Sequence, residues 1–228
     1  RMLLAYWVRV HSRYGNVVGG GLYLKYSVAV IRVVSPIVYL SNMTRAVFKG
    51  WSGAVASDET VLRIKVIDDL DIYANWEVQH YVSIDGVYSE TSLRSGWYSE
   101  GALISVNVSE TVVDQGNGTL RVFRGWTGDV ESNTLVVKVK VDRPLKIRAK
   151  WSTFYFVRVE TAFSMANFTS GWLPKGFRMH VMLALEHIDL KNRTRLVFSG
   201  WNGTLMDNPI EVVVDRPLII EAVWRTQY

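Results

Sequence analysis

The sequence predicts an all-β fold of three tandem units, each about 75 residues long. Three observations carry this. The string VFKGWSG at Val47–Gly53 returns as VFRGWTG at Val122–Gly128 and as VFSGWNG at Val197–Gly203, 75 residues on each time. Apolar and polar residues alternate in LVVKVKV (Leu135–Val141) and LKIRAKW (Leu145–Trp151), the period of two that sends neighbouring side chains to opposite faces of a strand. No stretch carries a helical period.

The units are expected at 1–79, 80–153 and 154–228. Each opens on an alternating strand, at HYVSI (His80–Ile84) and YFVRV (Tyr155–Val159), with VRV after Trp7 in the first. Ser-Gly-Trp follows at Ser95–Trp97 and Ser170–Trp172, replaced in the first unit by Gly20–Leu22. In the second unit Leu103–Thr111 and Leu120–Trp126 read as strands, separated by the Gly- and Asn-rich turn Asp114–Gly118. Asp142-Arg143-Pro144 and Asp215-Arg216-Pro217 read as connections, because proline cannot sit inside a paired strand. The closing strands end on Trp76, Trp151 and Trp224, which gives about five strands per unit. Arg1–Trp7 (RMLLAYW) resembles a closing strand, so the chain is expected to be a segment of a longer polypeptide. Tryptophans at one place in every unit point to a core, here Trp51, Trp76, Trp126, Trp151, Trp201 and Trp224. A unit this small needs such large side chains.

Composition narrows the function. With 49% apolar and 21% charged residues the chain should fold. No apolar run reaches the roughly 18 residues of a membrane-spanning helix. Cysteine is absent, which removes disulfides, thiolate metal sites and thiol catalysis. A net charge of +5, from 26 basic and 21 acidic residues, is too balanced for a nucleic-acid binder. His180, Glu186 and His187 match no zinc motif, and Asp68, Asp69 and Asp71 lack the spacing and glycine of a calcium loop. Phosphate loops and nucleophile elbows are missing as well. The expectation is no catalytic residue, no metal and no cofactor.

Six of the ten asparagines lie in Asn-x-Ser/Thr sequons: Asn42, Asn107, Asn117, Asn167, Asn192 and Asn202. With 31 Ser and Thr in 228 residues, chance predicts roughly 1.4. Asn42, Asn117 and Asn192 recur 75 residues apart, where Asn-x-Thr is also good turn chemistry. The excess favours glycosylation, hence an extracellular setting. Asn107 is expected to point outward from its strand.

Lys138, Lys140, Lys146, Arg148 and Lys150 alternate with apolar residues on two successive strands. They are expected to share one exposed face, either plainly solvated or suited to acidic glycans. Val28, Val30, Val213, Ile219 and Val223 fall on the outward phase of their strands. They suggest contacts with a neighbouring repeat or another copy of the chain.

The order of landmarks resembles the internalin-type B-repeats (Listeria–Bacteroides-like) of bacterial and archaeal surface proteins. It runs SGWYSEGALISV (Ser95–Val106), GNGTLRVFRGWTGD (Gly116–Asp129), then RPLKIRAKW (Arg143–Trp151). The resemblance implies a small β-grasp-like or sandwich-like unit in an elongated array. It also implies a non-enzymatic stalk or spacer at the cell surface, able to assemble into a sheath, filament or appendage. A carbohydrate-binding module, or an accessory segment of an extracellular protease, is the alternative.

Overall fold

A computed structural model describes residues 3–191 and 193–228, and every regular element in it is a strand. The first unit holds β1 (Ala5–Ser12), β2 (Val17–Val18), β3 (Gly21–Leu24), β4 (Val28–Val33), β5 (Ile37–Ser41), β6 (Thr44–Gly53) and β7 (Val61–Lys65). Next, β8 (Leu70–Asp85) leads to β9 (Gly96–Ser99), β10 (Leu103–Val106), β11 (Val112–Asp114), β12 (Thr119–Gly128) and β13 (Val137–Lys140). Then β14 (Leu145–Glu160) leads to β15 (Ser170–Pro174), β16 (Arg178–Val181), β17 (His187–Asp189), β18 (Arg195–Trp201), β19 (Ile210–Val213) and β20 (Leu218–Gln227).

The strands β8 and β14 are each 16 residues long. Each is the closing strand of one unit and the opening strand of the next, so the unit boundaries expected near residues 79 and 153 fall inside unbroken strands. Opening and closing strands of one unit pair in parallel: β1 with β8 (Val8↔Leu70), β8 with β14 (Val82↔Leu145) and β14 with β20 (Val157↔Leu218). The result is one 13-stranded sheet running through the three units.

Over each unit's share of that sheet lies a small separate sheet: β2-β4-β7, β10-β13 and β16-β19. Three clusters of buried residues fill the space between the layers, gathered around Trp51, Trp126 and Trp201. The unit is therefore sandwich-like. A second sheet stands where a β-grasp unit would carry its helix.

The VFxGW string owes its form to a bulge. Residues three apart on a strand face opposite ways, yet Phe48 and Trp51 both point inward. The register between β6 and β8 shifts between Phe48 and Gly50, and the same shift recurs between Phe123 and Gly125 and between Phe198 and Gly200. One extra residue turns the strand over. The two rings then meet edge to face, with centroids 5.1, 5.4 and 5.3 Å apart in the three units. Glycine is required at the bulge. At Gly125 φ is +125°, and a Cβ would stand 2.0 Å from the Ser132 carbonyl oxygen.

Trp51, Trp126 and Trp201 are fully enclosed, whereas Trp76, Trp151 and Trp224 are half-buried at the rims of the cores. The Trp51 and Trp126 indoles donate to the Glu59 and Leu135 carbonyls at 2.9 and 3.1 Å. The matching loop after Trp201 is two residues shorter, and the Trp201 and Trp224 indole nitrogens have no partner among the described residues. Register also corrects the reading of the first strand. Trp7 lies opposite Leu22 as Tyr81 lies opposite Trp97 and Phe156 opposite Trp172. Trp7 is thus an opening-strand residue, not the counterpart of Trp76 and Trp151.

Candidate functional site: the unit junctions and the outer faces

At each internal junction the shared strand is joined by contacts with the preceding unit's hairpin. The Tyr81 N–H donates to the Met43 carbonyl at 3.0 Å, and the Phe156 N–H donates to the Gly118 carbonyl at 2.9 Å. Both carbonyls lie at the tip of the preceding unit's hairpin, β5–β6 or β11–β12. At the second junction the connector of the next unit packs on that tip, since a Cβ at Gly118 would meet Pro217 Cβ at 3.0 Å. At the first, buried His80 accepts or donates at Nδ1 with Thr44 Oγ1, 3.0 Å away on that hairpin.

Beside this junction the outer face of the large sheet carries Tyr39, Tyr81 and Trp97. Trp97 meets Tyr39 and Tyr81 at interplanar angles of 62° and 75°. The Arg45 guanidinium lies 4.4 Å from its ring centroid and Arg45 Nε donates to Gln79 Oε1 at 2.9 Å. Sugar-stacking platforms need free, roughly parallel ring faces. Here the rings meet edge to face and Arg45 covers one face of Trp97, so the cluster reads as surface packing. Glu77, on the same face, is held below the usual carboxylate range by hydrogen bonds from Gln79 and then Ser99.

Among the sequons, Asn42, Asn117, Asn167 and Asn202 are exposed. Asn192 lies outside the described residues. Asn107 takes the outward phase between buried Val106 and Val108, but the strand ends at Val106 and the Asn107 side chain is half-buried, with Nδ2 donating to the Val108 carbonyl at 3.2 Å. Two exposed sequon asparagines have local work. Asn167 Oδ1 accepts the Met182 N–H at 2.9 Å, as Ser92 Oγ accepts the Asn107 N–H in the second unit. Asn202 Oδ1 accepts the Glu221 N–H at 2.7 Å.

The basic stripe does not share one face. The strand β13 pairs with β10 in the small sheet, whereas β14 belongs to the large one. Lys138 and Lys140 therefore stand on one layer, and Lys146, Arg148 and Lys150 on the other. The reason is the Asp142–Pro144 connector, which crosses between layers instead of turning a hairpin. Arg148 and Lys150 are moreover paired with Asp85 and Glu131, at 3.3 and 3.4 Å.

Val28, Val30, Val213 and Ile219 are exposed and Val223 is half-buried. Each exposed one faces a long cation across the ladder: Val28 Lys65, Val30 Arg63, Val213 Arg178 and Ile219 Arg158. The aliphatic stems of those side chains can cover part of the apolar surface.

Asp69 and Asp71 are engaged by Arg9 at 3.3 and 3.4 Å, and Asp71 also by His11 at 3.0 Å. Those contacts, first the hydrogen bond with His11 and then the Arg9 charge, hold the Asp71 carboxyl below its ordinary value. His180 is on β16 and His187 on β17, strands of different sheets. Among the described residues no three His, Cys, Asp or Glu side chains are placed to hold a metal ion, and no helix is long and apolar enough to cross a membrane. In comparisons with family models, curated proteins and solved structures, none matches this chain.

Proposed function

We propose that the chain is a non-enzymatic structural segment of an extracellular surface protein, a spacer that holds what lies at its two ends at a set separation. One observation supports this above all: β8 and β14 pass unbroken through both junctions, each 16 residues long. Units strung on a flexible linker can tumble independently. A bend here would instead break ladder hydrogen bonds on both edges of a shared strand, together with the hairpin contacts at Met43 and Gly118. A strand of that length spans about 50 Å at roughly 3.3 Å per residue. The likeness to B-repeat stalks and the excess of sequons support the extracellular part of the reading.

The spacer reading is tested by distance measurement. The chain lacks cysteine, so spin labels at Arg63→Cys and Lys175→Cys, both exposed, report on the first and third units alone. Pulsed electron double resonance should give one narrow distance distribution. Inserting Gly-Ser-Gly-Ser between Trp76 and Glu77 should broaden it. A distribution already broad in the uninterrupted chain would sink the reading. For the extracellular part, protein purified from its own host should carry glycan mass on Asn42 and Asn117, and an unmodified intact mass would refute it.

A further inference from the structure

The carbonyls that cross the two junctions belong to Met43 and Gly118, and each follows a sequon asparagine, Asn42 or Asn117. Of the three asparagines spaced 75 residues apart, only Asn117 is followed by glycine; Asn42 precedes Met43 and Asn192 precedes Arg193. Asn117 is exposed, and its side chain makes no hydrogen bond among the described residues. Glycines flank it on both sides, Gly116 at φ +72° and Gly118 at φ +74°. A Cβ at Gly116 would meet nothing within 4 Å, so the space beside Asn117 is open. The Gly118 N–H donates to no group among the described residues.

The chain has one other Asn-Gly pair, Asn202-Gly203. It too is exposed, but Asn202 is pinned on both sides of Glu221. The Asn202 N–H donates to the Glu221 carbonyl at 2.7 Å, and Asn202 Oδ1 accepts the Glu221 N–H at 2.7 Å. The same dipeptide therefore occurs once free and once held. An asparagine amide reaches the nitrogen of the next residue only if it can rotate onto it. A following glycine leaves no side chain in the way and lets the backbone bend to meet it. Asn117 meets both conditions, Asn202 only the second and Asn42 not the second.

We infer that Asn117 is a site of spontaneous deamidation by the backbone amide that follows it, and that the product loosens the second junction. The Gly118 nitrogen gives up its proton and bonds to Asn117 Cγ. The Cγ–Nδ2 bond breaks, and the side-chain nitrogen leaves with that proton as ammonia. Water then opens the five-membered imide at one carbonyl or the other, giving aspartate or isoaspartate. Isoaspartate routes the main chain through the former side chain and lengthens it by one carbon. The added carbon comes directly before Gly118, whose carbonyl holds the Phe156 N–H and whose Cβ position lies 3.0 Å from Pro217. A shifted Gly118 loses both contacts together. A glycan on Asn117 would take Nδ2 out of the reaction, so the inference concerns chains unmodified there and does not depend on the spacer reading.

Peptide mapping for isoaspartate tests it, on unglycosylated full chain from a bacterial host aged at mildly alkaline pH. Isoaspartate should accumulate at Asn117 at least about tenfold faster than at Asn202, where two hydrogen bonds must break first. In strong denaturant the two Asn-Gly sites should react alike, because only the fold distinguishes them. Hydrogen exchange then reads the junction. In aged chain the Phe156 amide should exchange faster while the Tyr81 amide keeps its rate. Asn117→Gln, which would have to close a larger ring, should hold the Phe156 rate constant through ageing. Equal rates at Asn117 and Asn202 in the folded chain, or reaction at neither, would overturn the assignment of the site. A difference that persisted in denaturant would overturn the part given to the fold. Unaltered Phe156 exchange in chains carrying isoaspartate at this position would overturn the effect on the junction.

Discussion

Replacing Gly125 by alanine isolates the feature on which the repeated string depends. Two costs combine at that site. The backbone sits at φ +125°, a region that side-chain-bearing residues avoid, which costs about 1–3 kcal/mol. The new Cβ would also stand 2.0 Å from the Ser132 oxygen and 2.8 Å from Asn133 Cα, both backbone atoms. Relieving such overlap costs about 1–3 kcal/mol more. Against this, alanine narrows the unfolded ensemble, a gain of roughly 0.4–1 kcal/mol. The expected net loss is about 3 kcal/mol. Gly101 provides the control, because its φ is +82° but a Cβ there meets nothing within 4 Å. Gly101→Ala should therefore cost only about 1 kcal/mol. Because the units share a sheet, unfolding by urea need not be two-state. The local opening free energy, read from native-state exchange of the Trp126 N–H bonded to Ser132 at 2.6 Å, is the better measure. If the two variants lose the same stability, the close approach at the bulge is not what demands glycine.

Trp126→Ala should cost on the order of 3–5 kcal/mol, the range for deleting an enclosed aromatic. Half-buried Trp151→Ala should cost roughly half that, and equal losses in chemical denaturation would contradict the core-and-rim distinction. Tyr26 has φ +69° where the matching turns carry Gly101 and Gly176, so Tyr26→Gly should raise stability by about 0.5–1 kcal/mol despite losing contacts with Lys25 and Lys65. A lower melting temperature would show that the ring contacts outweigh the strain. For Asp71, whose folded-state pKa is depressed, the stabilisation is complete above 3.8, its ordinary value, and disappears as pH falls through the lower folded value. The carboxyl midpoint followed by NMR should lie below 3.8 and rise in His11→Ala; no movement would remove His11 as the cause.

Much of the strand content was legible because strand patterning is local. The alternation in Leu145–Trp151 survives as the first half of β14, and the Asp114–Gly118 turn separates β11 from β12. The outward phase of Val213 and Ile219 could also be read from a period of two. Other features were hidden by the same locality. Nothing in a linear pattern tells that Leu135–Val141 and Leu145–Trp151 belong to different layers, because a connector that turns a hairpin and one that crosses a sandwich can share the residues Asp-Arg-Pro. The phase around Asn107, between buried Val106 and Val108, was legible, but the strand was extended past Val106, where its backbone partner ends.

By itself, the sequence determined the strand class, the 75-residue period and the inward place of Trp51, Trp126 and Trp201. These follow from side-chain chemistry repeated at short range. Only the tertiary structure decided that closing and opening strands fuse into one, that Phe48 and Trp51 share a face through a bulge, and that Trp7 belongs with Tyr81. It alone brought the Asp69 carboxylate to the N–H of a residue 62 positions away. Those are matters of register between strands remote in the chain. Register is set by which backbone groups find partners and which cores close, a condition the whole fold meets at once.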